Sequence, residues 1–233
     1  MRPAGALALR LRGLRFGWPG APDLLSIDAL DLTSGGTLFI GGPSGSGKST
    51  LLGLLSGVLQ ASAGECHVAG VDFSQAPPAD RDRIRADRLG VIFQQFNLLP
   101  YLSVWENVLL PLSFSSQRLR DSRQRFGSEL HQAEHLLQVL GLNRPLWRMR
   151  AHQLSVGQQQ RVAVCRALMG SPSLIIADEP TSALDEDNRR SFLELLLLTR
   201  EEQGAALVMV SHDMRMAPAF EKSLLLSEGG RPS

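Results

Sequence analysis

The sequence predicts an α/β fold whose main sheet is largely parallel. Three short, continuously apolar runs, at residues 38–40, 174–177 and 207–210, are typical of strands that are buried on both faces of such a sheet. Stretches with helical spacing of apolar residues lie between these runs. They occupy residues 49–60, 128–140 and 188–203. Regular alternation of strands and helices indicates the α/β class.

The chain has 233 residues, which predicts one compact unit with a subdomain inserted in it. Residues 1–94 and 152–233 form the predicted core. Within this core, residues 8–32 and 64–70 have short strand patterns joined by Gly and Pro turns, which indicate an N-terminal antiparallel β subdomain. Residues from about 95 to 151 interrupt the alternation and have helix-compatible spacing. We interpret them as an inserted helical subdomain.

The composition excludes several classes of protein. With 24 basic and 23 acidic side chains the formal charge is +1, so the chain has no basic surplus of the kind that attracts nucleic acid. Cys66 and Cys165 lie far apart and form no CxxC pattern, which favours core positions over metal ligation. No apolar run approaches the roughly 20 residues that cross a bilayer, and the N-terminus lacks a signal-peptide pattern. We therefore expect a cytoplasmic protein without a nucleic-acid partner.

A phosphate-binding loop is predicted between the first apolar run and the first helical stretch. Residues 42–49 fit the template GxxxxGK[ST], with a strand before them and a helix after them. Successive backbone N–H groups and the positive end of the helix would cradle a polyphosphate. Lys48 would add a charge at the β- and γ-phosphates, and the Ser49 hydroxyl would ligate Mg²⁺. The predicted nucleotide-binding residues here are Gly42, Pro43, Ser44, Gly45, Ser46, Gly47, Lys48, Ser49 and Thr50.

Two carboxylates follow the second apolar run and should emerge at the edge of the sheet where the phosphate loop opens. Asp178 would hold Mg²⁺ through its water shell, and Glu179 would act as general base towards the attacking water. An acidic pair after a strand also serves often as a helix cap. Beside a phosphate loop, the catalytic interpretation is favoured.

Residues 154–161, LSVGQQQR, resemble the LSGGQ signature of ABC-type ATPases. Three further segments are similar to motifs of that family in the same order: Gln94 to the Q-loop glutamine, residues 182–185 to the D-loop, and His212 to the switch histidine. The resemblance covers nearly the whole chain. It implies the P-loop NTPase core of an ABC ATPase, with ATP and Mg²⁺ as ligands.

The resemblance also implies how the remaining residues act. Gln94 would serve in catalysis and as a ligand of Mg²⁺, and His212 would stabilise charge at the γ-phosphate in the transition state. Two copies would form a head-to-tail homodimer in which each phosphate loop faces the partner's signature helix, predicted at residues 155–169. The residues implied to contact ATP held by the partner are Ser155, Gly157, Gln158 and Asp185. Trp18 would stack on adenine, although a core tryptophan beside a turn is the alternative.

Val156 departs from the family pattern, which has glycine there. A β-branched side chain disfavours φ > 0 and adds bulk where the loop must approach phosphate closely. We expect Val156 to slow or retune hydrolysis without abolishing it, because Gly157 remains.

Residues 93–112 look like the branch of the family that serves lipoprotein-release and macrolide-export systems. In that branch a separate or fused membrane permease receives the work of the ATPase. The resemblance implies peripheral attachment to the cytoplasmic face of the inner membrane, through a groove that receives a short permease helix. Phe96, Leu98, Leu99 and Tyr101 would line the groove, unless they pack inside the helical subdomain.

Three other functions share part of this pattern of motifs. An ABC ATPase acting on DNA or ribosomes would need a long coiled-coil insertion or a second cassette, which this chain lacks. An ATP-binding module without hydrolysis is suggested by Val156 but opposed by Glu179 and His212. An ATPase that drives a membrane regulator of cell-wall hydrolases shares every motif, and therefore stays open as the alternative to a transporter.

Overall fold

The computed structural model describes residues 6–182, 184–227 and 230–232, and these form two β-sheets with helices around them. The strands are β1 (Leu7–Gly17), β2 (Asp23–Thr33), β3 (Thr37–Gly41), β4 (Ala63–Val68), β5 (Val71–Asp72), β6 (Leu89–Ile92), β7 (Leu174–Asp178), β8 (Ala206–Val210) and β9 (Lys222–Leu225). The α-helices are α1 (Lys48–Leu55), α2 (Pro78–Arg88), α3 (Val104–Phe114), α4 (Ser116–Phe126), α5 (Glu129–Val139), α6 (Val156–Leu168) and α7 (Glu186–Gln203).

The main sheet is parallel, with the strand order β6-β7-β8-β3-β9. Its central strands are buried on both faces, which explains their continuous apolar sequences. Successive side chains alternate between two cores. In β3, Leu38 and Ile40 enter the core shared with the antiparallel sheet and α1, whereas Phe39 enters the core shared with α3, α5, α6 and α7.

The second sheet is antiparallel, with the order β2-β1-β4-β5. Strand β1 alternates as a sheet with one solvated face should: Leu9 and Leu11 are buried, while Arg10 and Arg12 lie on the other face. The pairing of β1 with β4 shifts register between Arg12 and Arg15. Gly13 has φ 52° at this point. The irregularity is thus placed at a residue without a Cβ.

The α4 helix is attached to the main sheet by a buried arginine. The side chain of Arg118 is 2% exposed, and its guanidinium donates to the carbonyls of Leu89 and Met169, at the start of β6 and the end of α6. Burial lowers the pKa of Arg118 to about 10, so the group remains charged at neutral pH. The helices α3 to α5 fall within the segment predicted to form a helical subdomain. Their independence from the core as a unit stays a prediction.

Several predicted element boundaries differ from the observed ones. The first helix ends at Leu55, not at residue 60, because Gly57 adopts φ 72° and terminates it. The last long helix begins two residues earlier than predicted, after the N-cap Asp185. The sequence pattern predicts neither α2 nor β9. Only two of the eleven residues of α2, Arg81 and Ile84, are buried, so apolar periodicity gave little signal.

The predicted fold class, an α/β protein with a parallel main sheet and an antiparallel β element, is confirmed. Within the described residues, no helix combines the length and the apolar character needed to span a membrane.

Candidate functional site

Three central strands bring the candidate residues to one edge of the parallel sheet. Ile40 of β3 pairs with Val210 of β8, which in turn pairs with Asp178 of β7. These strands therefore end in register, and the segments that follow each of them open at the same edge. The segments are the phosphate loop after β3, Glu179 after β7 and His212 after β8.

Glycine is required at two positions of the phosphate loop. At Gly42, with φ 154°, an added Cβ would lie 2.4 Å from the Leu226 carbonyl oxygen and 2.7 Å from Ser46 Oγ. Gly47 has φ 88° and lies against Leu25. It is the N-cap of α1 and offers no capping side chain, so the first amides of the helix point into the loop without a side-chain acceptor from the cap. The loop has the shape and the donors that a phosphate needs.

Lys48 is folded over this loop. Its Nζ donates to the carbonyl oxygens of Gly42 and Pro43, at 2.8 and 2.7 Å, and its side chain is largely buried. Ser46 is fully buried, and its Oγ has no hydrogen-bond partner among the residues that the structure describes. Pro43, Ser44, Gly45 and Ser49 are exposed, and Thr50 is half-buried. The Lys48 ammonium group is thus held by carbonyl oxygens of the loop itself.

Asp178 lies in the electric field of Lys48. Burial raises the pKa of the Asp178 carboxyl, the neighbouring Glu179 charge raises it further, and the charge of Lys48 lowers it. A hydroxyl at Ser49 and a carboxylate at Asp178 are hard oxygen donors of the type that Mg²⁺ prefers. The donor set of this edge therefore fits magnesium.

Glu179 and His212 are in contact. Glu179 Oε2 lies 3.3 Å from His212 Nδ1, across the ends of β7 and β8. The backbone of Glu179 is in the left-handed region, with φ 43°, and its N–H donates to the Val210 carbonyl at 3.0 Å. Left-handed backbone is uncommon for residues other than glycine and indicates a constrained position. The His212 side chain is 64% exposed, so one face of this pair is open to solvent.

Gln94 and Trp18 lie on exposed loops. Gln94 is the second residue after β6, whose last residue pairs with Ala177 of β7. It is therefore placed at the same sheet edge as Asp178. Trp18 follows β1 and is 50% exposed, with its ring edge-on to Phe16 at a centroid distance of 5.1 Å. The predicted alternative of a core tryptophan at this position does not apply, because half of the side chain is accessible.

The tip of α6 is arranged as a reciprocal cap. Ser155 Oγ accepts from the Gln158 N–H at 3.3 Å, and Gln158 Oε1 accepts from the Ser155 N–H at 3.0 Å. The Ser155 hydroxyl keeps its own hydrogen for donation to an external acceptor. A Cβ added to Gly157 would have nothing within 4 Å. The helix tip thus presents an open, positively polarised surface.

Our expectation about Val156 needs a correction. Val156 is the first residue of α6 and is not among the residues with positive φ, so its backbone is not under the strain that we expected. Its side chain is 51% exposed. The expected effect on hydrolysis therefore depends on bulk at the helix tip alone.

The segment 182–185 is described in part, because Ala183 lies outside the described residues. Ser182 is exposed. Asp185 is the N-cap of α7, and its two carboxylate oxygens accept from the N–H and the side-chain amide of Asn188, at 2.9 and 2.7 Å. These bonds lower the pKa of Asp185. Its carboxylate therefore has a role within the chain in addition to the predicted contact with the partner.

Two polar residues that our sequence reasoning missed connect α6 to the site. Gln160 is 1% exposed, and its Nε2 donates to the Pro180 carbonyl at 2.6 Å. Arg166 is 9% exposed and donates to the carbonyls of Phe96 and Asn97, at 2.6 and 2.7 Å. Arg166 stands among apolar neighbours on α6, which was the signal that could have revealed it, whereas Gln160 lies between Gln159 and Arg161 and had no such signal.

The four residues predicted to contact a permease differ in how much of each side chain is exposed. Tyr101 is 65% exposed and Leu98 and Leu99 are half-buried, but Phe96 is only 7% exposed. Phe96 also has a positive φ of 60°. Phe96 is therefore largely inaccessible, Leu98 packs partly against the core that α3, α5 and α6 share, as the predicted alternative has it, and Tyr101 is the most accessible of the four.

The fold and the loops at this sheet edge are those of an ABC-type ATPase. The family model described as ABC transporter matches residues 25–182, and the chain belongs to this family.

Named relatives agree with this assignment. The chain is 37% identical to the lipoprotein-releasing system ATP-binding protein LolD of Legionella pneumophila, over 86% of this chain and 85% of that protein. It is also 37% identical to the macrolide export ATP-binding/permease protein MacB of Rhodopirellula baltica, over 86% of this chain but only 28% of that longer protein. A solved dimeric structure of the cassette MJ0796 of Methanocaldococcus jannaschii, in a post-hydrolysis state bound to ADP and Pi, has a TM-score of 0.79. That match has 32% identity and covers 97% of this chain and 96% of the other.

Proposed function

We propose that this chain binds and hydrolyses ATP as the energy-supplying subunit of an ABC transport system. The observation that carries the proposal is the contact of Glu179 with His212, 3.3 Å apart, at the sheet edge where the phosphate loop also opens. A carboxylate and an imidazole beside a phosphate cradle are the groups that activate a water and stabilise the developing charge.

The phosphate loop binds the nucleotide. Backbone amides of residues 42–49 and the N-terminus of α1 hold the phosphate oxygens. Lys48 exchanges its bonds to the Gly42 and Pro43 carbonyls for bonds to the β- and γ-phosphates, and Trp18 stacks on the adenine. Ser49, Asp178 and Gln94 would hold Mg²⁺, which when bound neutralises phosphate charge.

Glu179 acts on the attacking water. Its carboxylate orients the water and accepts a proton from it, while the His212 ring lies beside the γ-phosphate and stabilises negative charge in the transition state. The constrained backbone of Glu179 fixes the carboxylate relative to the end of β7. The arrangement positions its groups before the nucleotide arrives.

Each complete site needs two copies of the chain. The α6 tip, with Ser155, Gly157 and Gln158, lies on an exposed surface and would contact ATP on the partner, with Asp185 at the same interface. ATP would favour the closed dimer, and loss of the γ-phosphate would release it. The MJ0796 cassette is dimeric with ADP and Pi, which supports this arrangement.

We further infer a role in the lipoprotein-release or macrolide-export branch, which is supported by the likeness to LolD and MacB. The chain would attach to the cytoplasmic face of a membrane through a permease. A short permease helix would contact the loop surface of Leu98, Leu99 and Tyr101, with Phe96 beneath it. Arg166 would pass movement of this loop to α6, since it bonds to the loop backbone.

Substitution of Glu179 by Gln tests the proposal. The amide keeps the size of the carboxylate but cannot accept the proton of the attacking water, so phosphate release should fall by a factor of about 100 or more. ATP binding should persist, because the phosphate loop is unchanged. Phosphate release measures the loss of hydrolysis. Light scattering after size exclusion, with ATP and Mg²⁺, measures the dimer that bound, unhydrolysed ATP should keep closed.

Glu201→Gln is the matched control, because Glu201 is an exposed glutamate on α7. It should behave as the wild type. A Glu179→Gln protein that hydrolyses ATP at the wild-type rate, or that stays monomeric at saturating ATP, would contradict the proposal.

A further inference from the structure

An ion-pair network joins two loops that are distant in sequence. Arg189, in the first turns of α7, contacts Asp213 through one guanidinium nitrogen and donates to the Leu184 carbonyl, at 3.0 Å, through the other. Arg215 also pairs with Asp213, at 2.9 Å, and reaches Glu186 at 3.0 Å. The network spans the segment before α7 and the segment after β8.

The two arginines differ in how strongly they hold Asp213. Arg215 is two residues from Asp213 and its side chain is 63% exposed, so this pair is local and solvated. Arg189 is 24 residues away, with a side chain that is 20% exposed, and the Asp213 side chain is only 11% exposed. An ion pair shielded from water is screened less than an exposed one. Arg189 is therefore the more shielded of the two connections between the later segment and α7, the other being the exposed pair of Arg215 with Glu186.

The network is charged at neutral pH. The hydrogen bond from Arg215, together with the charges of Arg215 and Arg189, holds the pKa of Asp213 well below its ordinary value. A basic residue near the N-terminus of a helix interacts unfavourably with the positive end of the helix dipole. The position of Arg189 on α7 therefore does not stabilise the helix. Its hydrogen-bond partners, Leu184 and Asp213, both lie outside α7.

The residues next to the network belong to the candidate site. Asp213 follows His212, whose ring lies 3.3 Å from Glu179. Leu184 precedes Asp185, the cap of α7 that we place at the interface with the second copy. One guanidinium therefore links the Leu184 carbonyl beside the interface to the Asp213 side chain beside the histidine.

We propose that Arg189 is a positioning residue for hydrolysis, which holds His212 against Glu179 by tying the segment 211–215 to the segment 184–185. This inference rests on the proposed function. One guanidinium nitrogen of Arg189 bonds the Leu184 carbonyl and the other bonds the Asp213 carboxylate. A displacement of residues 184–185 on contact with the partner therefore moves Asp213 and the adjacent histidine. Arg189 acts through His212 and does not touch the nucleotide.

Arg189→Gln tests the inference in steady-state phosphate release by the whole chain with ATP and Mg²⁺. We expect kcat to fall about tenfold, since small misplacements of catalytic groups have effects of this order. The KM for ATP should stay within about twofold, because the phosphate loop is not touched. Arg189→Lys keeps a positive charge beside Asp213 but cannot bond Asp213 and Leu184 at the same time through two guanidinium nitrogens. Its kcat should therefore lie between those of the wild type and Arg189→Gln. The exposed Arg190, its neighbour on α7, provides the control Arg190→Gln, which should match the wild type.

Asp213→Asn removes the other end of the pair. Its kcat should fall at least as far as that of Arg189→Gln, because it also weakens the local pair with Arg215. The double variant should lose no more than Asp213→Asn alone, because the connection between Arg189 and Asp213 is already broken in each single variant. If Arg189→Gln does not fold, the Arg189→Lys and Asp213→Asn proteins decide the question by the same measurements.

The outcomes separate the two proposals. A wild-type chain that releases no phosphate overturns the proposed function itself. An active wild type with an Arg189→Gln kcat within twofold, a change confined to KM, or fully additive losses in the double variant overturns only the role of Arg189.

Discussion

At the scale of single residues, the site depends on side chains whose surroundings set their properties. Glu179 occupies a backbone region that costs about 1–3 kcal/mol for a residue with a side chain. The hydrogen bond from its N–H to Val210 helps to hold it there. Asp178, one residue earlier, has regular strand geometry but a pKa raised by burial. Two adjacent carboxylates thus have different environments, which suits their different proposed roles.

Val156 provides a prediction at this scale. Because its backbone is helical, Val156→Ala removes bulk from the α6 tip without releasing strain, and Val156→Gly does the same with a more flexible backbone. We expect both variants to hydrolyse ATP faster, by up to about tenfold, which corresponds to about 1.4 kcal/mol of barrier. Phosphate release measures the rates. Equal gains would show that bulk is the cause, a gain in the glycine variant alone would indicate the backbone, and unchanged rates in both would show that Val156 has no influence.

At the scale of elements, α6 connects the separate parts of the site. Ser155 caps its tip, Gln160 bonds the Pro180 carbonyl beside Glu179, and Arg166 bonds the loop after Gln94. A rigid helix with a capped tip and these two attachments, through Gln160 and Arg166, moves as one body. A displacement at the proposed permease surface would therefore reach the helix tip that we propose to contact the partner's nucleotide.

The attachment of α4 gives a second prediction. Arg118→Ala leaves two carbonyls without their charged donor and opens a cavity, which should lower the free energy of unfolding by about 2–4 kcal/mol. Urea denaturation, followed by circular dichroism, measures the change. Arg120→Ala, on the same helix but with an exposed side chain, should cost less than about 0.5 kcal/mol. Equal stability of the two variants would show that Arg118 does not hold α4 to the sheet.

At the scale of the whole molecule, the site predicts complementation between defective copies. Lys48→Ala removes the phosphate-loop lysine, and Ser155→Arg obstructs the α6 tip, so each protein alone should be inactive. A mixed head-to-tail dimer has one site with both halves intact. With random mixing in equal amounts, and independent sites, activity should return to about a quarter of the wild-type value.

The matched control mixes Lys48→Ala with Glu179→Gln. Both substitutions damage the same half of the site, so no mixed dimer has an intact site and no activity should return. Phosphate release over a range of mixing ratios measures both experiments. A mixture of Lys48→Ala and Ser155→Arg that never exceeds the sum of its components would contradict the shared site.

The placement of the candidate residues at one edge of the parallel sheet could be predicted from the sequence. A loop that cradles phosphate needs glycines and a lysine at fixed spacing, because backbone geometry dictates that spacing, and buried parallel strands need continuous apolar residues. The short polar helix α2 and the edge strand β9 were not readable, because few of their residues are buried. Their formation depends on neighbours elsewhere in the chain.

Contacts between distant segments were decided by the tertiary structure alone. The register of β3, β8 and β7 brings Glu179 and His212 together, and the packing of α7 brings Arg189 to Asp213. The same packing determined that Val156 is helical and that Phe96 is buried. The physical reason is that sequence spacing controls the periodicity of each element, whereas the free energy of burying their apolar faces together selects which elements become neighbours.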